Sequence, residues 1–164
     1  MSGIEDLYRQ VIVDHAKERH GSGLVDDGSE RPSSLPGPIG CRVGESHQAN
    51  PLCGDEVRLR VLLEGDKIVN VSWEGHGCSI SQASASVLHD LVEGATIDEA
   101  DAIGTRCRAL MDARGEAPDE ETEEILGDAA AFTGVGRYPA RIKCALLGWM
   151  ALKDALVWAR KEQA

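Results

Sequence analysis

The feature that most constrains the fold is a pair of alternating segments in the middle of the chain. In residues 57–63 every second residue is apolar, and these residues alternate with Arg58 and Arg60, which is the period-two pattern of a half-buried strand. Residues 69–73 repeat the alternation, with Val69 on the apolar face, and residues 64–67 are typical of a turn. The sequence therefore predicts an antiparallel hairpin at this position.

Around this hairpin the remaining predicted structure is mostly helical. Apolar residues at helical spacing predict a helix before the hairpin, over about 4–19, and further helices over about 81–93, from Thr96 onward, over 119–131 and over 141–160. Thr96 and Glu99 form a capping-box pair at the start of the third helix. Strands do not alternate with helices, so a doubly wound parallel sheet is not expected. The prediction is an α+β fold, with a small antiparallel sheet of about three strands packed on one side by several helices.

Between the first helix and the hairpin the chain is rich in Gly, Pro, Ser and Asp. This composition predicts a flexible loop at about 21–49, with a short edge strand at 41–48. A chain of 164 residues is long enough to bury a core of its own. We therefore predict a single domain over residues 1–164.

Charge and composition exclude several classes of function. The formal net charge of −11 argues against binding to nucleic acid or to an anionic membrane, because both need a basic surface. No apolar run approaches the roughly 18 residues of a membrane span, and Met1–Asp14 lacks the pattern of a signal peptide. We therefore expect a cytoplasmic protein, whose five cysteines serve metal binding or catalysis more often than disulfides.

Three of these cysteines stand at junctions between predicted elements. Cys53 precedes the hairpin together with Gly54 and Asp55, Cys78 opens a helix after the hairpin, and Cys144 lies in the predicted first turn of the last helix. A helix N-terminus stabilises a thiolate, and zinc takes four Cys, His or Asp ligands. Cys53, Asp55, Cys78 and Cys144 would therefore close a zinc site. No CxxC pair supports this, so the residues alone leave open that each cysteine is simply a small buried apolar residue.

Four segments in the same order resemble the SufU/IscU (NifU N-terminal) family of iron–sulfur cluster assembly proteins. They are the helical segment Leu7–His15, the segment Asn50–Asp55, the segment Gly75–Ser86 and the segment Pro139–Ala145. The resemblance covers nearly the whole chain, and it implies the SufE/NifU-like fold.

Within that family the chain is similar to the SufU branch. The scaffold branch has a histidine directly before the last motif cysteine, where this chain has Lys143, and a shorter connection where this chain has residues 108–137. The resemblance to the SufU branch implies a zinc-dependent sulfurtransferase. Such a protein accepts persulfide sulfur from a SufS-type cysteine desulfurase and serves downstream iron–sulfur assembly proteins.

The roles of individual residues follow from this resemblance. Cys53, Asp55, Cys78 and Cys144 would bind Zn²⁺, Cys53 would also accept the persulfide sulfur, and Arg141 would steady the site or the departing thiolate. The alternative within the family is a scaffold protein that assembles a [2Fe–2S] cluster on the same ligands.

Two alternatives from other classes stay open. A purely structural zinc module would unfold when Cys53 is replaced, and a cysteine–histidine hydrolase would need an oriented base next to its nucleophile. Among the other candidates, we interpret Cys41 as an incidental loop thiol and Cys107 as a core residue. His15 is interpreted as a packed, hydrogen-bonded residue rather than a ligand. His76, two residues from Cys78, is close enough to approach the metal but is not expected to be a direct ligand.

Overall fold

A computed structural model describes residues 3–24 and 41–161 of the chain. In these ranges the element order is α1 (Gly3–Glu18), β1 (Cys41–Asn50), β2 (Asp55–Glu64), β3 (Lys67–His76), α2 (Ser79–Val92), α3 (Ile97–Asp112), α4 (Glu120–Leu126), a 3₁₀ helix (Gly127–Arg137) and α5 (Pro139–Lys161). The predicted α+β fold is confirmed: the strands form one small sheet, with α1 before it in the chain and the other helices after it.

The three strands form an antiparallel sheet in the order β1-β2-β3. The predicted hairpin is present, and Leu59 lies opposite Trp73 and Val61 opposite Val71 on its buried face. The prediction for Val69 is wrong, because a β-bulge shifts the register between Leu62 and Leu63. The inward position opposite Leu63 is consequently taken by Ile68, which is fully buried, while Val69 is half-buried.

Helix α5 is the main packing partner of the sheet. It contacts β1 and β2, and α2 packs against both α5 and β3. The approach of α5 to β1 is close at Gly44, where a Cβ atom would overlap the carbonyl oxygen of Ala155, so only glycine fits there. In the described ranges no helix, including the 23-residue α5, has the length and hydropathy needed to cross a membrane.

The helix boundaries agree with the predictions to within two residues except in one region. Helix α3 begins as predicted, because the Thr96 side chain accepts a hydrogen bond from the Glu99 backbone N–H. The acidic helix is shorter than the predicted 119–131, since α4 ends at Leu126 and a 3₁₀ helix follows over Gly127–Arg137. Gly127, at a φ of 52°, is the C-cap of α4 and forces this change of direction.

The predicted loop at about 21–49 is too long at both ends. Residues 41–50 form a full strand that pairs with β2 along its whole length, so the expected edge strand at 41–48 is part of a ten-residue strand. At the other end, Gly21 and Gly23 exchange backbone hydrogen bonds with Trp73 of β3, at 3.0 and 2.7 Å. Residues 25–40 of the predicted loop lie outside the described residues.

Candidate metal centre

The turn between β1 and β2 presents Cys53 to solvent. The backbone N–H groups of Cys53 and Gly54 donate to the carbonyl oxygen of Asn50, at 3.2 and 2.9 Å. Gly54 adopts a φ of 72°, a conformation that glycine takes without steric cost. This turn leaves the Cys53 side chain exposed at the tip, two residues before the buried Asp55.

Asp55 is a deeply buried carboxylate without a cationic partner. It is 1% exposed, and its Oδ1 accepts a hydrogen bond of 2.8 Å from the Cys78 backbone N–H. No Lys, Arg or His in the described ranges forms an ion pair with it. A buried negative charge is costly unless a cation or hydrogen bonds offset it. Asp55 therefore has the environment expected of a metal ligand.

Cys78 and Cys144 complete the group from two helices. Cys78 is the N-cap residue of α2 and is half-buried, as its predicted position at a helix start requires. Cys144 is 2% exposed and its Sγ lies 3.8 Å from the Ala140 carbonyl oxygen. The prediction that Cys144 lies in the first turn is wrong, because α5 begins at Pro139. Cys144 therefore lies in the second turn of α5, beyond the strongest influence of the helix dipole.

The four candidate ligands converge at this rim. The ligand atoms of Cys53, Asp55 and Cys144 all lie within 4.8 Å of one another. Cys78 is not part of that mutually close group, but its Sγ lies 3.7 Å from the Asp55 Oδ2. Sulfur ligands of a tetrahedral zinc ion are about 3.8 Å apart, given Zn–S bonds of about 2.3 Å. Three thiols and one carboxylate at these distances fit a divalent cation that accepts sulfur ligands.

The protonation of Cys144 also depends on these neighbours. Burial, reinforced by the adjacent Asp55 and Cys78, raises the pKa of the Cys144 thiol above its ordinary value. The sequence-based expectation that the helix start favours a Cys144 thiolate is therefore wrong for the protein without a metal. A bound divalent cation reverses this balance, because a coordinating thiol is deprotonated.

The other candidates lie outside this group. Cys107 is buried in α3, and burial raises its pKa to about 12, so the prediction of a core residue is confirmed. His76 is exposed and pairs with Glu56 at 3.3 Å. Arg141 lies on the exposed side of α5, one turn before Cys144, and its predicted role stays a prediction. The side chain of Cys41 lies outside what the structure describes.

Sequence reasoning missed Arg19, which supports the segment that carries Cys78. Arg19 adopts a φ of 49°, and its guanidinium lies 4.9 Å from the centre of the Trp73 ring. It donates to the Gly75 carbonyl oxygen at 3.3 Å and to the Gln82 side chain. The end of β3 and the start of α2 are thus held together by one cation. No sequence pattern indicates this, because the contacts join residues more than fifty positions apart.

Replacing Arg19 with alanine is expected to destabilise the protein by about 1–3 kcal/mol, because its side-chain hydrogen bonds and a cation–π contact are lost. It should also weaken metal retention, since the anchored segment carries Cys78. Chemical denaturation and metal content after dialysis check both effects. Arg9→Ala is the matched control, because Arg9 is exposed on α1 and should leave both measurements unchanged. Equal values for the two variants would remove Arg19 from this supporting role.

Gly77 provides a sharper test of the geometry around Asp55. Its φ is 147°, and a Cβ atom there would overlap the Asp55 carboxylate. Gly77→Ala is therefore expected to displace the carboxylate and weaken metal binding by about tenfold or more. Gly94 also has a positive φ, of 85°, but a Cβ atom there meets nothing within 4 Å. Gly94→Ala should cost only about 1–2 kcal/mol of stability. Metal competition titrations of both variants then distinguish backbone strain, which both share, from displacement of the Asp55 carboxylate, which only Gly77→Ala causes.

Comparison with known proteins assigns this chain to a family. The model of the NifU-like N terminal domain matches residues 7–145. The zinc-dependent sulfurtransferase SufU of Bacillus subtilis (strain 168) is 36% identical over 155 residues, covering 94% of this chain and 92% of that protein. The iron–sulfur cluster assembly scaffold protein IscU of Streptococcus pyogenes serotype M1 is 33% identical over 156 residues, covering 95% and 86%.

Solved structures agree with this assignment. A putative iron–sulfur cluster assembly scaffold protein for the SUF system from Fervidobacterium islandicum AW-1 superposes with a TM-score of 0.70 at 36% identity, covering 90% of this chain and 94% of that one. The N-terminal part of a NifU-like protein from Brucella abortus gives a TM-score of 0.73 at 25% identity, covering 98% and 99%. The resemblance identified in the sequence is confirmed, and the chain belongs to the NifU-like N-terminal domain family of iron–sulfur cluster assembly proteins.

Proposed function

We propose that this protein is a zinc-dependent sulfurtransferase, which accepts persulfide sulfur from a cysteine desulfurase for iron–sulfur cluster assembly. The observation that carries the proposal is the graded exposure of the thiols in one cluster. Cys53 is exposed, Cys78 is half-buried and Cys144 is buried. One thiol can thus reach a partner's sulfur while the others hold the centre together. The similarity to the B. subtilis sulfurtransferase supports the same reading.

In this proposal Cys53, Asp55, Cys78 and Cys144 bind one Zn²⁺ ion. The donor set of three sulfurs and one carboxylate oxygen suits zinc, which accepts both and has no redox chemistry of its own. When bound, the ion supplies stabilisation of thiolates at neutral pH. Asp55 keeps the Cys78 end of α2 in place through its hydrogen bond to the Cys78 N–H, so the centre keeps its shape when Cys53 moves.

The transfer itself is a thiol–disulfide type of exchange. The Cys53 thiolate attacks the outer sulfur of the partner's persulfide, and a new S–S bond forms as the partner's S–S bond breaks. The partner cysteine leaves as a thiolate, and the proton of the persulfide stays on the transferred sulfur. Neither an oxidant nor a reductant is needed. Arg141, one helical turn before Cys144, is proposed to steady the site or the departing thiolate with its fixed positive charge.

The proposed setting is the cytoplasm, with a SufS-type cysteine desulfurase as sulfur donor and iron–sulfur assembly proteins as recipients. The net charge of −11 favours a docking surface of positive charge on the partner.

A second candidate function is supported by the similarity to the S. pyogenes scaffold protein. In that case the same thiolates would hold a [2Fe–2S] cluster for delivery to other proteins. Lys143, exposed beside Cys144, offers no ring nitrogen to an iron ion, whereas the scaffold branch has a histidine there. This difference favours the sulfurtransferase.

One combined measurement separates the two candidates. The purified protein is expected to contain about one zinc per chain and to raise the turnover of a cognate cysteine desulfurase in the presence of cysteine. Metal content is measured by mass spectrometry and turnover by alanine production, with and without the protein. A stable coloured cluster formed in preference to zinc, together with unchanged desulfurase turnover, would establish the scaffold function instead.

A further inference from the structure

A second group of metal-ligating side chains lies where α1 ends against α2. It consists of His15, His20 and Asp90, whose ligand atoms all lie within 4.8 Å of one another; we call it the histidine cluster. We propose that the histidine cluster is a second metal site, which takes a first-row divalent transition metal ion such as Zn²⁺ and fastens the end of α1 to α2.

In both histidines the Nε2 atom faces a carboxylate, which holds the ring in a fixed orientation. The Nε2 of His15 lies 2.9 Å from the Asp128 Oδ2, and the Nε2 of His20 lies 2.9 Å from the Glu18 Oε2. A metal-binding histidine typically donates its second ring N–H to a carboxylate, which fixes the tautomer and the ring orientation. With Nε2 as the donor, the His15 Nδ1 has a lone pair available to a metal ion. The His20 Nδ1 faces the Asp90 carboxylate and donates to it in this arrangement, so a metal ion binds there by displacing that proton.

Both Nδ1 atoms face the same side of α2. The His15 Nδ1 lies 2.7 Å from the Ser86 Oγ, and the His20 Nδ1 lies 2.7 Å from the Asp90 Oδ2. Ser86 and Asp90 are four residues apart on α2 and therefore neighbours on one helix face. The two ring nitrogens and the Asp90 carboxylate thus converge, and a water molecule can take a fourth position.

The charge of the surroundings also favours a cation. Glu18, Asp90 and Asp128 bring three carboxylates to the two imidazoles, and none of the three forms an ion pair with a Lys or Arg in the described part of the chain. The donor set of imidazole nitrogen and carboxylate oxygen suits zinc, cobalt, nickel or copper, whereas magnesium and calcium prefer oxygen ligands alone. An ion can enter from solvent, because the Asp90 side chain is 42% exposed.

Small movements complete the geometry. Ligands of a tetrahedral zinc ion with bonds of about 2.0–2.1 Å are about 3.3 Å apart, so the three donors must approach by at most about 1.5 Å. The solvent-facing His20 and Asp90 can make this movement while His15 stays packed. The site is separate from the cysteine centre: Cys78 caps the start of α2, and twelve residues of helix place Asp90 about 18 Å away along the axis.

The test begins with protein whose cysteine centre is loaded with zinc. This protein is titrated with Co²⁺, following heat release and the visible spectrum. We expect a second equivalent to bind without the intense thiolate-to-cobalt absorption that a cysteine site gives. When the free metal concentration is about 100 times the dissociation constant of this second site, its occupancy should raise the midpoint of thermal unfolding by about 5 °C or more.

Variants decide whether the histidine cluster is responsible. His20→Gln and Asp90→Asn remove ligands at partly exposed positions and should each weaken the second equivalent by about tenfold or more, as should Asp128→Asn through the orientation of His15. Asp112→Asn, at the exposed end of α3, is the matched control and should bind like the parent. Absence of a second equivalent in the parent protein, or equal binding by parent and ligand variants, would overturn the proposal.

Discussion

Cys53→Ala is expected to abolish sulfur acceptance while leaving the protein folded. Cys53 is the exposed thiol of the centre, so its removal eliminates the nucleophile that can reach a partner's persulfide. The stimulation of desulfurase turnover should fall by about 10²-fold or more, as expected when an attacking nucleophile is lost. The fold should persist, because Cys53 lies in a surface turn and contributes little to the core. Turnover assays and circular dichroism of the same sample check both parts.

The matched control is Cys107→Ala. Cys107 is buried in α3 away from the centre, and its thiol stays protonated because its pKa is raised to about 12. This variant should lose some stability through the small cavity but retain full stimulation when folded. If Cys53→Ala stimulated the desulfurase as well as Cys107→Ala does, the acceptor would be another cysteine. If Cys53→Ala unfolded, the centre would be a structural zinc module.

Removal of the metal is expected to lower the midpoint of thermal unfolding by about 10 °C or more. A ligand present at about 1,000 times its dissociation constant contributes about 4 kcal/mol to stability, and each kcal/mol shifts the midpoint of a domain of this size by about 2–4 °C. Without a cation, the charge of the buried Asp55 carboxylate is offset only in part, by the Cys78 backbone N–H at 2.8 Å and by the neighbouring thiols. Calorimetry before and after a strong chelator measures the loss, and zinc should restore the midpoint.

Two variants assign the effect of the chelator to a site. Asp55→Asn keeps an acceptor for the Cys78 N–H but weakens the metal centre, so its midpoint should respond much less to the chelator. Asp90→Asn, in the histidine cluster, should still show most of the loss. Equal midpoints of the parent protein with and without chelator would contradict a zinc centre built around Asp55.

The fold was largely predictable because local patterns carry its main elements. The alternation of residues 57–63 identifies a half-buried strand wherever the strand packs, and the capping-box pair at Thr96 marks the start of α3 without knowledge of the tertiary structure. The position of Val69 was not predictable, since the bulge depends on how β2 and β3 pair. Residues 41–50 carry no clear apolar alternation, so the full length of β1 was also underestimated.

The site was predictable in its members but less so in its environment. The junction positions of Cys53, Asp55 and Cys78 follow from the ends of neighbouring elements. Cys144 was assigned to the first turn because the start of α5 was placed two residues too late, although a proline at the first helical position, here Pro139, is a recognised signal. Its burial depends on how α5 packs against the sheet and α2. The support from Arg19 and the approach of His20 to Asp90 depend on how distant segments pack, and neither has a local signature.

In the proposed reaction, Cys53, the exposed thiol of the centre, accepts the transferred sulfur atom while the rest of the metal centre stays intact. The most direct measurement mixes the zinc-loaded protein with a cysteine desulfurase and cysteine, traps persulfides with an alkylating reagent, and maps them by mass spectrometry of non-reduced peptides. We predict one additional sulfur atom on the peptide that contains Cys53 and none on those containing Cys78, Cys107 or Cys144. An additional sulfur on any of those three peptides, with Cys53 unmodified, would contradict the account.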